Sequence, residues 1–377
     1  MIPIRYNLRS IVVRRVGTIM TVLGVALTVT VFVSILAMIQ GLQNTFVDTG
    51  DPLNLILMRK GSTSEVYSFF NRDVKGIVET IDGVETVSGE ILVLINSPRI
   101  SGEPTNIIVR GISDKSLALR PQIKISEGRM FRPGFREIVV SGSISKRFKN
   151  AKVGDSLKIG RTPWTVVGLL DAARTAYDSE AWADYNEIAD EFERPVYSSL
   201  IVRAQNQAAI KGIRERVEED RRLKLSVFGE KEYFASQTSA ALPIQILGYL
   251  VGAIMAIGSC FAVMNTMYAA TTYRTREIAT LRVLGFKRRN ILLSFMLESI
   301  VLSLLGGILG CLLALPVHGI STGTANFNSF AEVSFQFRIT PALMAEGLAF
   351  AVIMGTIGGL LPAQLAARIP IVRALRT

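Results

Sequence analysis

Histidine is almost missing from this 377-residue sequence, and cysteine nearly so. One histidine excludes an H-E-x-x-H motif and argues against a zinc site. His318 itself, at the outer end of an apolar run, reads as an interface residue rather than a ligand. Cys260 and Cys311 both fall inside apolar runs, so the polar part of the chain has no disulfide framework. There is no G-x-x-x-x-G-K-[ST] loop to cradle phosphates and no G-x-S-x-G nucleophile elbow. The carboxylate groups Asp190/Glu191/Glu193 and Glu218/Glu219/Asp220 lie on helix-like, solvated runs. No catalytic, cofactor-binding or metal-ligating residue is assigned, and the chain reads as no enzyme in itself.

Charge is absent from four long stretches. Val16–Ile39 and Pro243–Tyr273 have none, Ile291–Val317 has only Glu298, and Ala342–Ala367 has only Glu346. Each reaches about 20 residues, enough at about 1.5 Å per residue to cross a hydrocarbon core of about 30 Å. With hydrophobic residues at 49%, the fold class expected is an α-helical membrane protein with four transmembrane helices and an α+β domain between helices one and two. The boundaries read as spans at 16–40, 243–272, 290–317 and 341–367, with an extracytoplasmic domain at 41–242, a loop at 273–289, an outer loop at 318–340 and a tail at 368–377. The first run lacks a small-x-small cleavage site and reads as a retained anchor.

Acidic residues are scarce between these runs on one side only. The segments before span one, between spans two and three, and after span four contain thirteen basic residues and one acid, whereas Gly41–Leu242 has 28 basic and 27 acidic residues. The positive-inside rule then puts both termini and the 273–289 loop in the cytoplasm. The net charge of +11 therefore reads as topology and contact with membrane lipids, not as nucleic-acid binding. In residues 1–15, Ile4, Leu8, Ile11 and Val12 at helical spacing among arginines suggest an amphipathic surface helix, or an extension of the first span.

The stretch Tyr273–Phe286 carries the most information. Ile278, Leu281 and Leu284 share one helical stripe, Arg274, Arg276, Glu277 and Arg282 flank it, and Gly285 ends it as a helix C-terminal glycine would. Small residues recur every four positions in the later spans, at Gly248 and Gly252, Gly306 and Gly310, and Gly355 and Gly359. They permit close helix approach, within the chain or between copies. Glu298 and Glu346 read as lying near span ends, within reach of headgroups or a partner. Pro362 and Pro370 are expected to kink and then end span four.

The 41–242 segment alternates strand-like and helical runs. Strands are expected at Leu53–Met58, Val84–Ile95, Asn106–Gly111, Glu137–Ser141, Ser156–Ile159, Trp164–Leu170, Tyr197–Arg203 and Leu223–Phe228. Helices are expected at Asp73–Ile81, Gln207–Arg222 and Glu230–Leu242. This is an α+β pattern in two lobes, one of 53–111 with 197–228 and a mostly β part inserted between. The stretch 172–194, acidic and aromatic, fits no neighbouring pattern and is expected to carry subtype-specific contacts.

The run R-T-R-E-I-A-T-L-R-V-L-G-F, followed by R-R-N-I-L-L-S-F-M-L-E-S and a Gly-rich helix, resembles the signature of FtsX-like, MacB-type permeases of ABC transporters. The order E-G-R-M-F, R-E-I-V-V-S, V-G-D-S-L-K-I-G and W-T-V-V-G-L-L resembles their MacB-like periplasmic core domain. The tail L-L-P-A-Q-L-A-A-R-I-P-I-V-R-A-L-R is similar to the family's ending, and the family often has a glutamate at the Glu298 position. The resemblance covers nearly the whole chain. It implies a permease of the bacterial inner membrane, working as a homodimer or heterodimer with a separate ABC ATP-binding subunit that holds ATP and Mg. It makes the Tyr273 segment a coupling helix whose Arg274, Arg276, Glu277, Ile278, Leu281, Arg282, Leu284 and Gly285 serve the ATPase contact. It also implies mechanical transmission to the outer domain, for export or extraction of a periplasmic or lipid-associated substrate, with a periplasmic adaptor and an outer-membrane channel as further partners. The alternative is an FtsX-like signalling subunit that regulates a cell-wall hydrolase.

Overall fold

The computed structural model describes residues 15–238, 242–326 and 328–370. The surface helix expected over residues 1–15 and most of the expected tail lie outside them. Two compact units result, one from the chain up to Gln40 with Pro243–Ile320 and the chain from Phe337 on, the other from Gly41–Leu242 with Ser321–Gln336.

Along the chain, α1 (Arg15–Val47) leads to β1 (Asn54–Arg59), β2 (Phe70–Asn71), α2 (Val74–Glu79), β3 (Val84–Pro98), β4 (Pro104–Ile112) and α3 (Asp114–Ala118). Then come β5 (Lys124–Gly128), β6 (Glu137–Ser141), α4 (Gly142–Arg147), β7 (Ser156–Ile159), β8 (Thr162–Asp171) and β9 (Glu180–Asp184). They are followed by α5 (Tyr185–Glu191), β10 (Val196–Tyr197), β11 (Ser199–Ala204), α6 (Ala209–Glu219), β12 (Leu225–Gly229) and α7 (Glu230–Gln237). The chain closes with α8 (Leu242–Tyr273), α9 (Thr275–Val283), α10 (Arg288–Ala314), β13 (Ser321–Ala325), β14 (Glu332–Gln336) and α11 (Pro341–Arg368).

The first unit is helical. α1, α8, α10 with its short 3₁₀ extension, and α11 are each long and apolar enough to cross a membrane. With no water to satisfy a hydroxyl, threonines in α1 donate back along the helix: Thr21 to the Gly17 carbonyl, Thr28 to Gly24 and Thr30 to Ala26. The six glycines singled out in the sequence are used inside the chain. A Cβ on Gly248 would stand 2.5 Å from Ile35, one on Gly306 2.7 Å from Val25, one on Gly310 2.6 Å from the Ala26 carbonyl, and one on Gly355 2.5 Å from the Ser303 hydroxyl. Gly252 lies against Phe32 and Gly359 against Ser299 in the same manner. A side chain at any of these would push neighbouring helices apart.

The second unit is an α+β domain around one sheet, in the order β12-β1-β11-β3-β4-β9-β6-β8-β5, with β7 on the free part of β8. β3 is its spine. Its first half pairs antiparallel with β11 as far as Glu90, and its second half, from Ile91, pairs antiparallel with β4. β4 thus belongs with the inserted part rather than with the 53–111 lobe. Alternate residues of β3, Val87, Ile91, Val93 and Ile95, join Leu55, Leu57, Leu200 and Val202 in a continuous core.

α1 continues as one helix to Val47, while the division between the two units falls after Gln40, at the expected edge of span one. Two expectations need correction. The expected outer loop 318–340 contains the antiparallel pair β13 and β14, which belongs to the outer unit. The helix expected over Glu230–Leu242 stops at Gln237. Within the stretch 172–194, β9 is wholly buried and pairs with β4 on one side and β6 on the other.

Candidate functional site

α9 begins as soon as α8 ends. Arg274 stands between them and is nearly buried. Its Nη1 donates to the Glu298 carboxylate on α10 at 2.9 Å, its Nε to Glu277 at 3.1 Å, and its guanidinium lies 5.2 Å from the centre of the Phe295 ring. Glu298 therefore points inward from the eleventh residue of α10 rather than reaching headgroups, and an ion pair removes the cost of burying it. The helix ends in a Schellman arrangement: the Gly285 amide donates to the Arg282 carbonyl at 3.2 Å and the Phe286 amide to Leu281 at 3.1 Å. Gly285 has φ +92°, a conformation that L side chains rarely adopt.

The predicted stripe is divided by burial. Ile278 is 2% exposed and packs with Val263, Met267 and Ile291 in the helical core, with Ala279 buried beside it. Ile278 is thus not available to a partner, and Arg274 is occupied in holding α10. Leu281 and Arg282 are half-buried, while Arg276 and Glu277 are exposed. Leu284 is 70% exposed, and sequence reasoning missed two further exposed apolar residues here, Tyr273 at 82% and Val283 at 63%. With Lys287, Arg288 and Arg289 beyond Gly285, they form a basic face with apolar members. Glu346 is exposed on α11. His318 is no ligand: its Nδ1 accepts the Ile339 amide at 3.1 Å. Among the described residues no cluster of His, Cys, Asp and Glu could hold a metal ion.

A second constellation, also missed, lies where the two halves of the outer sheet meet. Arg110 on β4 donates from Nε and Nη2 to Glu180 at 2.7 Å each, from Nη1 to Glu90 at 2.6 Å, and from both Nη atoms to Glu65 at 3.2 Å. Arg120 grips the same Glu90 at 2.5 and 3.0 Å and lies 4.8 Å from the centre of the Tyr177 ring. Burial raises the Glu90 pKa, but the two guanidinium groups outweigh it and hold the carboxyl down at about 2. The Tyr177 hydroxyl, itself pushed well up by burial, donates to Glu230 at 2.6 Å. Glu230 opens α7, and its other oxygen accepts the Asp51 amide at 2.8 Å and the Asn54 side chain at 3.0 Å. One carboxylate so joins the segment after α1, the sheet and the segment before α8. The only signal in the sequence was that Glu90 and Arg110 stand in largely apolar strand surroundings.

Four membrane-capable helices, a basic helix between the second and third, and an α+β domain inserted after the first define the architecture of a transporter permease. Comparison with known proteins agrees. Residues 18–220 match the MacB-like periplasmic core domain and residues 249–371 the FtsX-like permease C-terminal domain, and the chain belongs to this family of ABC transporter permeases. A Bacillus subtilis (strain 168) protein described as an uncharacterized ABC transporter permease, YknZ, is 27% identical over 99% of this chain and 98% of its own length. The macrolide export ATP-binding/permease protein MacB of Hahella chejuensis is 24% identical over 96% of this chain, which spans only 58% of that relative. Among solved structures, the extracellular domain of YknZ from Gram-positive bacteria matches 46% of the chain at 19% identity with a TM-score of 0.38. The periplasmic region of MacB from Actinobacillus actinomycetemcomitans matches 47% at 11% identity with a TM-score of 0.37. The protein is an integral membrane protein, and membership of this family implies an ATP-binding partner.

Proposed function

We propose that this chain passes ATP hydrolysis by a separate cytoplasmic subunit into movement of its outer domain, to export or extract a periplasmic or lipid-associated substrate. The observation that carries the reading is the way α9 is held. Arg274 and Ile278 fix its inner side to the helical core, so a force on its outer side reaches α8 and α10 directly. Tyr273, Arg276, Val283 and Leu284 are the residues a nucleotide-binding partner would grip, with ATP and Mg bound in that partner. Both termini lie on the same side as α9, in the cytoplasm of a bacterial inner membrane. Two permease chains, identical or paired with a relative, face two ATPase subunits, and an adaptor and outer-membrane channel extend the path where an outer membrane exists. Co-purification with the ATPase tests this. Leu284→Glu with Arg276→Glu should abolish association and stimulated ATP hydrolysis, and retention of both would exclude α9 as the contact.

A further inference from the structure

Small ligands bind in clefts of about 300 to 1,000 Å³, and the outer unit has one of ≈ 580 Å³ between the end of β3 and β7. Its lining is of two kinds. Leu94, Leu157 and Phe192 give it apolar surface, while Lys149 and Lys158 bring two ammonium groups. Ser97, from β3, is 2% exposed, and its hydroxyl has no hydrogen-bond partner. A buried hydroxyl left unpaired costs about 1–3 kcal/mol; here it lies behind the cleft surface rather than on it, since its oxygen has under 1 Å² of accessible surface.

The lysines are not neutralised from within. Neither forms an ion pair with a carboxylate among the described residues. The two acids nearest in sequence to Phe192 are engaged elsewhere: Glu191 accepts the Arg161 amide at 2.7 Å and the Thr162 hydroxyl at 2.6 Å, and Glu193 pairs with Arg161 at 3.4 Å. Lys149 is held in place through its backbone, whose amide donates to the Pro98 carbonyl at 3.1 Å, and Asn150 after it turns the chain at φ +55°. The cleft therefore combines a fixed positive rim with a dry wall.

We infer that this cleft binds an amphiphile with one anionic head, a carboxylate or a phosphate, whose head meets Lys149 and Lys158 and whose apolar part lies along Leu94, Leu157 and Phe192. Free fatty acids and phosphorylated lipids share this chemistry. The inference does not rest on the coupling reading, and its test needs no ATPase, so either can fail alone.

The experiment uses the full chain in nanodiscs of neutral lipid, with empty nanodiscs as the partition blank, and titrates octanoate, octyl phosphate and octanol by calorimetry. Saturable binding of one anion per chain is expected, with octanol at least about tenfold weaker, since a head charge facing two ammonium groups contributes on the order of one such factor or more. Tighter octanoate indicates a carboxylate ligand and tighter octyl phosphate a phosphate. The double variant Lys149→Glu, Lys158→Glu, altered only at exposed positions, should lose anion binding about tenfold or more with an unchanged Tm. Octanol binding as tightly as the anions, or anion binding unchanged in the double lysine variant, overturns the inference.

Discussion

Arg110 is the most heavily engaged side chain in the outer unit. A guanidinium has five N–H groups, and five hydrogen bonds run from Arg110 to Glu65, Glu90 and Glu180. Lysine has three donors and no fork, so Arg110→Lys should behave as a lesion, not a conservative change. Removing one member of such a buried network costs about 3–5 kcal/mol, and a drop in Tm of the outer domain on thermal unfolding is the expected outcome. Glu90 allows a sharper prediction. Its folded pKa, about 2, lies below the ordinary glutamate value of 4.5, so the folded state favours the ionised form. That contribution is fully present above the unfolded pKa and is lost as pH falls through about 2. Glu90→Gln should therefore be less stable than the parent at pH 7, by on the order of 3 kcal/mol, and the gap should narrow as pH falls from about 4.5 towards 2. A gap that stays constant over that range would show that Glu90 acts by shape alone.

At the scale of the element, α9 has one side buried at Ile278 and Ala279 and another exposed at Val283 and Leu284. Ile278→Ala removes buried methylene groups and should cost about 2–5 kcal/mol of the helical unit's stability, read as a lower Tm in detergent. Leu284→Glu changes an exposed position and should leave stability within about 0.5 kcal/mol of the parent while lowering ATPase stimulation. If both variants lose stability equally, the division of the helix proposed above is wrong. The sequence pattern made this helix visible, since its apolar stripe and Gly285 are local signals. What it hid was which stripe member faces inward, because that depends on α8 and α10 and not on spacing. The four long helices were legible for the same local reason, an uninterrupted lack of charge. β9 was not: Glu180-Ala-Trp-Ala-Asp offers no apolar alternation, and its burial requires Arg110, seventy positions earlier, to pair with Glu180. β5 was hidden too, since four of its five residues are exposed and its place depends on β8. The glycine stripes gave the right residues with their partners undetermined, as a periodicity of four says that a neighbour is close without saying which.

For the whole molecule, the question is how four membrane helices act on one outer domain. The chain supplies the continuity: α1 runs on to Val47, α7 precedes α8, and β13 and β14 lie between α10 and α11. Within the outer unit, each of these segments ends in a buried carboxylate clasp or touches one. Glu230 holds Asp51, Asn54 and Tyr177 together. Glu332, at the start of β14, accepts from Arg99 at 2.6 and 2.9 Å and also from Arg147, while Ser334 donates its amide to Ser179 at 2.6 Å. A charged, directional contact of this kind transmits displacement better than an apolar one, which can slide at little cost. Breaking it should therefore uncouple rather than inactivate. In a complex with its ATPase, the intact chain should show a nucleotide-dependent change in hydrogen exchange over Ser321–Gln336, because that segment of the outer unit is the chain link between α10 and α11. Glu332→Ala should keep ATP hydrolysis within about twofold, as expected for a site away from the contact helix, yet lose that exchange response. Arg99 and Arg147 are partly exposed, so water can take up their freed N–H groups and the variant should still fold, which an unchanged Tm of the outer domain would verify. A hairpin that keeps the parent's nucleotide response without Glu332 would mean that motion reaches the outer domain through α1 and α7 alone, and Glu230→Ala would then be the variant that separates hydrolysis from movement.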